Sequence, residues 1–190
     1  MLNVSRTSIR QALKALDFLG ILEIRHGATT TLKTSGPNLF INLLKFMTIL
    51  YNVDVHELFE VQKTIEAAMA KKAAECASPQ KIEKMRYYLE NVEKSLDSDA
   101  FLFAEKSFHE CILTASENRI FKAMIDSLTD MLVEKRKESI KTFTNLQIPF
   151  DQHRKIFDAI EKRDPEGAEK AMLDHLEDIE NRLSSADKPK

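Results

Sequence analysis

The amino-acid sequence predicts an all-α protein: an antiparallel bundle of about seven helices, preceded by one shorter helix and a β-hairpin. Three observations carry that prediction. Apolar residues recur at the three- and four-residue spacing of a helix face along most of the chain. Only four of the 190 residues are Gly and five are Pro, while 43% are hydrophobic and 31% charged, a balance that favours long helices over turn-rich strands. One segment alone departs from helical spacing, the β-branched stretch between Ile21 and Leu32.

Taken in order, Ile9, Ala12, Leu13, Leu16 and Leu19 form the apolar stripe of a first helix over residues 5–19, with Ser5 placed to cap it and Gly20 to stop it. Ile21 to Arg25 and Thr29 to Leu32 then read as two strands around a tight turn at His26-Gly27. The cluster Thr34-Ser35-Gly36-Pro37-Asn38 reads as a linker. The chain therefore divides into residues 1–34, a helical domain over 35–186 and a polar tail, 187–190.

Inside the helical domain, Asp54 followed by Glu57 has the spacing of a capping box, and it opens a stripe of Leu58, Val61, Ile65, Ala68 and Met69. Ser78-Pro79 opens the next helix, whose predicted buried face is Ile82, Met85, Leu89, Val92 and Leu96. Later helices are expected to start near Ser98, Asn118, Pro149 and Asp164-Pro165.

Charge and cysteine content narrow the function classes. Residues 1–34 carry five basic side chains against Asp17 and Glu23, a balance of +3 that leaves −5 for the rest of a chain whose net charge is −2. A basic head on an acidic body suits contact with nucleic-acid phosphate. The longest apolar runs, such as Phe46 to Tyr51, fall far short of the ~20 residues that span a bilayer, so no membrane partner is expected. The N-terminus lacks the layout of a secretion signal, and only Cys76 and Cys111 are present, which together point to a reducing cytoplasm.

Four polar residues stand where core residues belong. Phe101, Ala104, Phe108, Ile112 and Ala115 form one stripe, with Glu105 and His109 one turn apart along its flank. His153 lies within the stripe Phe150, Ile156, Phe157 and Ile160, and His175 within Ala168, Met172, Ile179 and Leu183. Each histidine alone fits a hydrogen-bonded core imidazole, because the neutral ring costs little to bury. Together, three imidazoles and one carboxylate could bind a divalent first-row ion and leave positions open for water or a ligand carboxylate. His26, in a turn, and His56, in the first turn of a capped helix, do not share this pattern.

Asn3-Val4-Ser5-Arg6-Thr7-Ser8-Ile9-Arg10-Gln11-Ala12-Leu13, with Leu16 to Gly20, Ile21 to Ile24 and His26-Gly27, resembles the recognition helix and wing of the GntR regulators. Leu58-Phe59-Glu60-Val61, Ile65-Glu66, Phe108-His109, Ser116-Glu117-Asn118 and the spacing from His153 to His175 resemble the all-helical FCD effector domain of one GntR subfamily. The resemblance implies operator DNA as partner, touched by Arg6, Thr7, Ser8 and Arg10 from the helix and by His26 and Gly27 from the wing. It implies a homodimer, and a divalent metal (zinc, nickel or manganese) held by Glu105, His109, His153 and His175. It also implies a small-molecule effector, in this family often an organic acid, near Gln62 and Asn118.

Two positions depart from the family pattern. Glu105 stands where the carboxylate is usually Asp, and Gln62 where many members place an Arg that grips an organic acid's carboxylate with two parallel hydrogen bonds. Residues 1–34 hold about half of a winged helix-turn-helix, so this polypeptide is expected to bind operator DNA more weakly than one extended at its N-terminus. The reading is a dimeric, metal-containing, ligand-responsive DNA-binding regulator. Its rivals are a sensor and dimerisation module without DNA binding, and a metal-dependent enzyme, for which no separate general base is evident.

Overall fold

The computed structural model describes residues 5–18, 21–24, 29–32, 39–94, 98–142 and 147–186. Gly20 as a helix stop, the His26-Gly27 turn with its wing contacts, the linker from Thr34 to Asn38, Leu96 and the tail 187–190 lie outside the described residues. Among the described residues the fold is all-α, with eight helices and one two-stranded sheet. The chain divides into two compact units, Met1–Asn52 and Val53–Lys190.

The first unit holds α1 (Arg6–Phe18), β1 (Leu22–Glu23), β2 (Thr31–Leu32) and α2 (Leu39–Leu50). Ser5 caps α1 as its sequence position predicts, its Oγ accepting from the Ser8 N–H at 3.1 Å. The strands pair antiparallel, Leu22 with Leu32 and Glu23 with Thr31, and are shorter than the sequence pattern suggests. Just past β1, the Ile24 N–H donates to Asp17 Oδ1 of α1 at 3.2 Å. Helix α2 is apolar almost all round, and Phe46, Ile49, Leu50 and Tyr51 are exposed on it and just beyond its end.

The second unit holds the other six helices: α3 (Val55–Cys76), α4 (Pro79–Lys94), α5 (Ser98–Ala115), α6 (Arg119–Thr142), α7 (Gln147–Glu161) and α8 (Pro165–Ala186). With α2 they make the seven helices expected after Asn38. The capping box at Asp54 forms in both directions, the Asp54 N–H reaching Glu57 Oε2 at 2.8 Å while the Asp54 side chain accepts from the His56 N–H. Ser78, Asn118 and Asp164 accept backbone N–H groups in the first turns of α4, α6 and α8. Helix α7 starts at Gln147, two residues before the predicted Pro149; a proline in the first turn lacks only an N–H that would have had no intrahelical partner. No helix among the described residues is long and apolar enough to cross a membrane.

Helix α3 makes its largest contact with α8 and also packs on α5, α6 and α7. Ala70, Ala73 and Ala74 are fully buried, small side chains that let neighbouring backbones approach. Here the predicted stripe is corrected. Val61 is 43% exposed, Ala68 is exposed and Leu58 is only partly covered, whereas the buried face runs through Phe59, Gln62, Ile65, Glu66, Met69, Ala70 and Ala73. A helix covered by four others buries a wide arc, and two members of that arc are polar, so apolar spacing alone placed the face about one residue off. The stripes of α5, α7 and α8 are buried as expected: Phe101, Ala104, Phe108, Ile112 and Ala115; Phe150, Ile156, Phe157 and Ile160; Ala168, Met172, Ile179 and Leu183.

At the α7–α8 turn Arg163 adopts a left-handed backbone, φ 59°, at a helix end where Gly is usual. Its guanidinium donates to the carbonyls of Ala74 and Ala77, satisfying acceptors at the C-terminal end of α3.

At the start of α3, His56 Nδ1 lies 2.9 Å from Glu180 Oε1, and Lys63 Nζ donates to Glu180 Oε2 at 2.7 Å. The hydrogen bond to Glu180 raises the His56 pKa above the ordinary 6.5; Asp54 adds to the rise and Lys63 opposes it. For Glu180, burial pulls the carboxyl up, but the hydrogen bonds from Lys63 and His56 outweigh it and the net shift is downward. A raised folded-state pKa stabilises below the unfolded value of about 6.5, and that contribution fades as pH climbs through the folded value. The expected result is a melting-temperature gap between wild type and His56→Gln that is widest in mildly acidic buffer and narrows as the pH rises into the alkaline range. A gap that widens with pH would contradict the pairing.

Candidate functional site

The site is assembled from three helices whose apolar stripes leave room for polar side chains. On α5, Glu105 and His109 are one turn apart and project to the same side. Helix α7 brings His153 and α8 brings His175. All four residues are buried, none more than 5% exposed, and one potential ligand atom from each lies within 4.8 Å of all the others. His109 Nε2 and His153 Nε2 are 3.2 Å apart. The rings of His153 and His175 are closer still as bodies, with centroids 4.4 Å apart, and His109 sits 5.2 Å from His175 and 5.3 Å from His153.

The chemistry of this donor set fits a divalent first-row ion. Bonds of about 2.0–2.2 Å hold ligand atoms about 3–4 Å apart, so a small contraction turns the cluster into a coordinating one. Three imidazoles and one carboxylate suit zinc, nickel or manganese, and carry less charge than the ion they would hold. One side of the cluster is aromatic: Phe108 stands edge-on to His153 at 5.4 Å and to His109 at 6.0 Å, and Phe101 to His153 at 6.4 Å.

Two residues that the sequence reading did not assign to the site complete its outer layer. Glu66 on α3, 1% exposed, accepts from His109 Nδ1 through Oε2 at 2.8 Å. Gln152 Oε1 lies 3.2 Å from His175 Nδ1. Glu66 could have been found from sequence: Phe59, Gln62, Glu66, Met69 and Ala73 keep the helical three-and-four spacing if two polar members are admitted.

Gln62, expected near an effector, is fully buried and donates from Nε2 to Glu66 Oε1 at 2.5 Å, while its own Oε1 has no hydrogen-bond partner. A cavity of about 310 Å³ opens against this wall, with Glu66, His109, Lys106, Lys122 and Asp130 among its lining. Its lysines are already held by carboxylates, Lys122 by Asp126 at 2.8 Å and Lys106 by Asp130 at 3.7 Å. Asn118 is not part of this lining. It is exposed at the start of α6, where its Oδ1 accepts from the Ile120 and Phe121 N–H groups, and it borders a different, more open hollow. His56 stands outside the cluster, in its pair with Glu180.

In the first unit Arg6, Thr7, Ser8 and Arg10 are all exposed on the first two turns of α1. Arg6 and Arg10 are four residues apart and so share a face. Among the described residues α1 buries none of its side chains, and Ile9 of its apolar stripe is 43% exposed.

Comparison with known proteins places this geometry. Residues 57–178 match the FCD domain family. The HTH-type transcriptional regulator LutR of Bacillus subtilis is 31% identical over 188 residues, covering 95% of this chain and 85% of LutR. The HTH-type transcriptional repressor NanR of Citrobacter rodentium is 28% identical over 183 residues, covering 93% of this chain and 70% of NanR. Among solved structures, Streptococcus agalactiae GntR superposes with a TM-score of 0.69 at 23% identity, covering 96% of this chain and 84% of that one. Escherichia coli McbR/YncC gives 0.64 at 17% identity, covering 97% and 87%. At these identities the two structures speak to the fold.

Proposed function

The chain belongs to the FCD-domain family of GntR-type transcriptional regulators, and from that premise we propose that its helical domain senses through a divalent metal held by Glu105, His109, His153 and His175. It is a regulator and not an enzyme, as its relatives are. The observation that carries the metal reading is the convergence of those four buried donors within 4.8 Å of one another. A bound ion would supply a Lewis-acidic point with positions left for a ligand carboxylate. Around it the protein's own groups hold the imidazoles: Phe101 and Phe108 wall off His153, and Glu66 and Gln152 engage the far nitrogens of His109 and His175.

The effector is a small molecule, an organic acid being one fit, and it occupies the cavity beside His109. Gln62 cannot supply charge, and Lys106 and Lys122 in the cavity wall are paired with Asp130 and Asp126, so a ligand carboxylate there would turn to the ion or exchange with those aspartates. The protein works as a homodimer on operator DNA, and the exposed apolar residues of α2 are surface of the kind that pairs with another chain. Effector binding shifts helices near the cluster and, through the connection between the two units, changes how two copies of α1 address DNA.

On α1, Arg6 and Arg10 read or brace the operator. A duplex selected from a random pool, titrated by fluorescence anisotropy at fixed salt, tests this. Arg10→Ala is expected to weaken binding about 5- to 150-fold, the loss of one good base contact. The rival, a sensor and dimerisation module without DNA binding, draws on one observation, that α1 buries none of its described residues fully. It predicts that selection yields no preferred sequence at all.

A further inference from the structure

Within the metal reading above, on which this rests, we propose that Glu66 is a positioning residue for the centre and that Gln62 holds Glu66 in place. A carboxylate only accepts hydrogen bonds, so its 2.8 Å contact requires the proton on His109 Nδ1. The neutral ring then has its lone pair on Nε2, the nitrogen that stands 3.2 Å from His153 Nε2 at the centre of the cluster. Fixing the tautomer in this way turns an ordinary imidazole into a pre-aimed ligand.

Gln62 completes the device. Its Nε2 donates to the other oxygen, Oε1, at 2.5 Å, so both carboxylate oxygens are engaged and the group cannot swing away from His109. Both residues lie on the buried arc of α3, four positions and therefore one turn apart. The amide keeps this orientation although it leaves Gln62 Oε1 buried without a partner, which identifies the contact with Glu66 as the one that fixes it. The braced carboxylate also lines the cavity where an effector would enter. Glu66 and His109 both line that cavity, and Glu66 links His109 to Gln62 behind it.

The test uses the full chain stripped of metal, with zinc competed against a chromophoric chelator at fixed pH. Glu66→Gln is expected to bind zinc about 10- to 100-fold more weakly, as other outer carboxylates do when removed. Its metal-free melting temperature should stay near that of wild type. A buried residue with only a packing role would move the melting temperature and leave affinity alone. Gln62→Met, which keeps the carboxylate but removes its brace, should give a smaller loss of the same sign. Long-range nitrogen–proton NMR of the metal-free wild type should find His109 protonated at Nδ1. A ring protonated at Nε2 overturns the proposal whether or not any variant folds. So does unchanged zinc affinity in folded Glu66→Gln while wild type binds zinc, a result that leaves the metal reading standing. Failure of wild type itself to take up zinc, nickel or manganese would overturn both.

Discussion

Replacing His153 and His175 together by alanine is expected to reduce metal in the purified protein from about one ion per chain to background. The two residues supply half of the donors and come from two different helices, α7 and α8. What remains, Glu105 and His109, is a single one-turn pair on α5, which cannot close a coordination shell. Metal that binds only the folded chain stabilises it by about 4 kcal/mol at a thousandfold excess over its dissociation constant. For a chain of this size each kcal/mol raises the melting temperature about 2–4 °C, so zinc should lift the wild type by roughly 8–16 °C and the double variant by nearly nothing. Elemental analysis and paired melts with and without zinc measure the two effects. His56→Ala is the control, since His56 is engaged with Glu180 and should leave metal content untouched. Equal metal in the double variant and the wild type would sink the assignment.

The four donors were legible in the sequence because α5, α7 and α8 have regular apolar stripes, against which a histidine or glutamate stands out. Regular stripes also locate the helix faces, and with them the direction in which the polar members point. Helix α3 was harder for the same reason in reverse. Its buried arc contains Gln62 and Glu66, which pair with each other, Glu66 also pairing with His109, and a pattern scored on apolarity discards such positions before their partners are known. The partners come from α5, 43 residues away in sequence from Glu66 to His109, and only the tertiary fold brings them together. Asn118 illustrates a different limit. Its neighbours resemble a family motif, yet its side chain is spent on capping α6, a local task that any Asn after a helix break can perform. The hairpin is legible in kind, but β-branched composition alone does not set strand length: Ile24, inside the predicted strand, gives its N–H to an Asp17 side chain on α1.

Phe108→Ala should cost the protein about 3–5 kcal/mol, the range for emptying a large aromatic from a packed core. Phe108 has no exposed surface and belongs to the main hydrophobic cluster of the second unit. Urea unfolding should show a lower midpoint with an unchanged slope, and the melting temperature should fall by roughly 6–20 °C. A loss below about 1 kcal/mol would mean that the site collapses around the smaller side chain. The ring also has a second effect that stability alone does not report. It stands edge-on to both His109 and His153, at 88° and 83°, so its removal opens space into which either imidazole can rotate. All four donors survive in this variant, yet zinc should raise its melting temperature by less than it raises that of wild type. If the two increments are equal, Phe108 fills the core without holding the imidazoles.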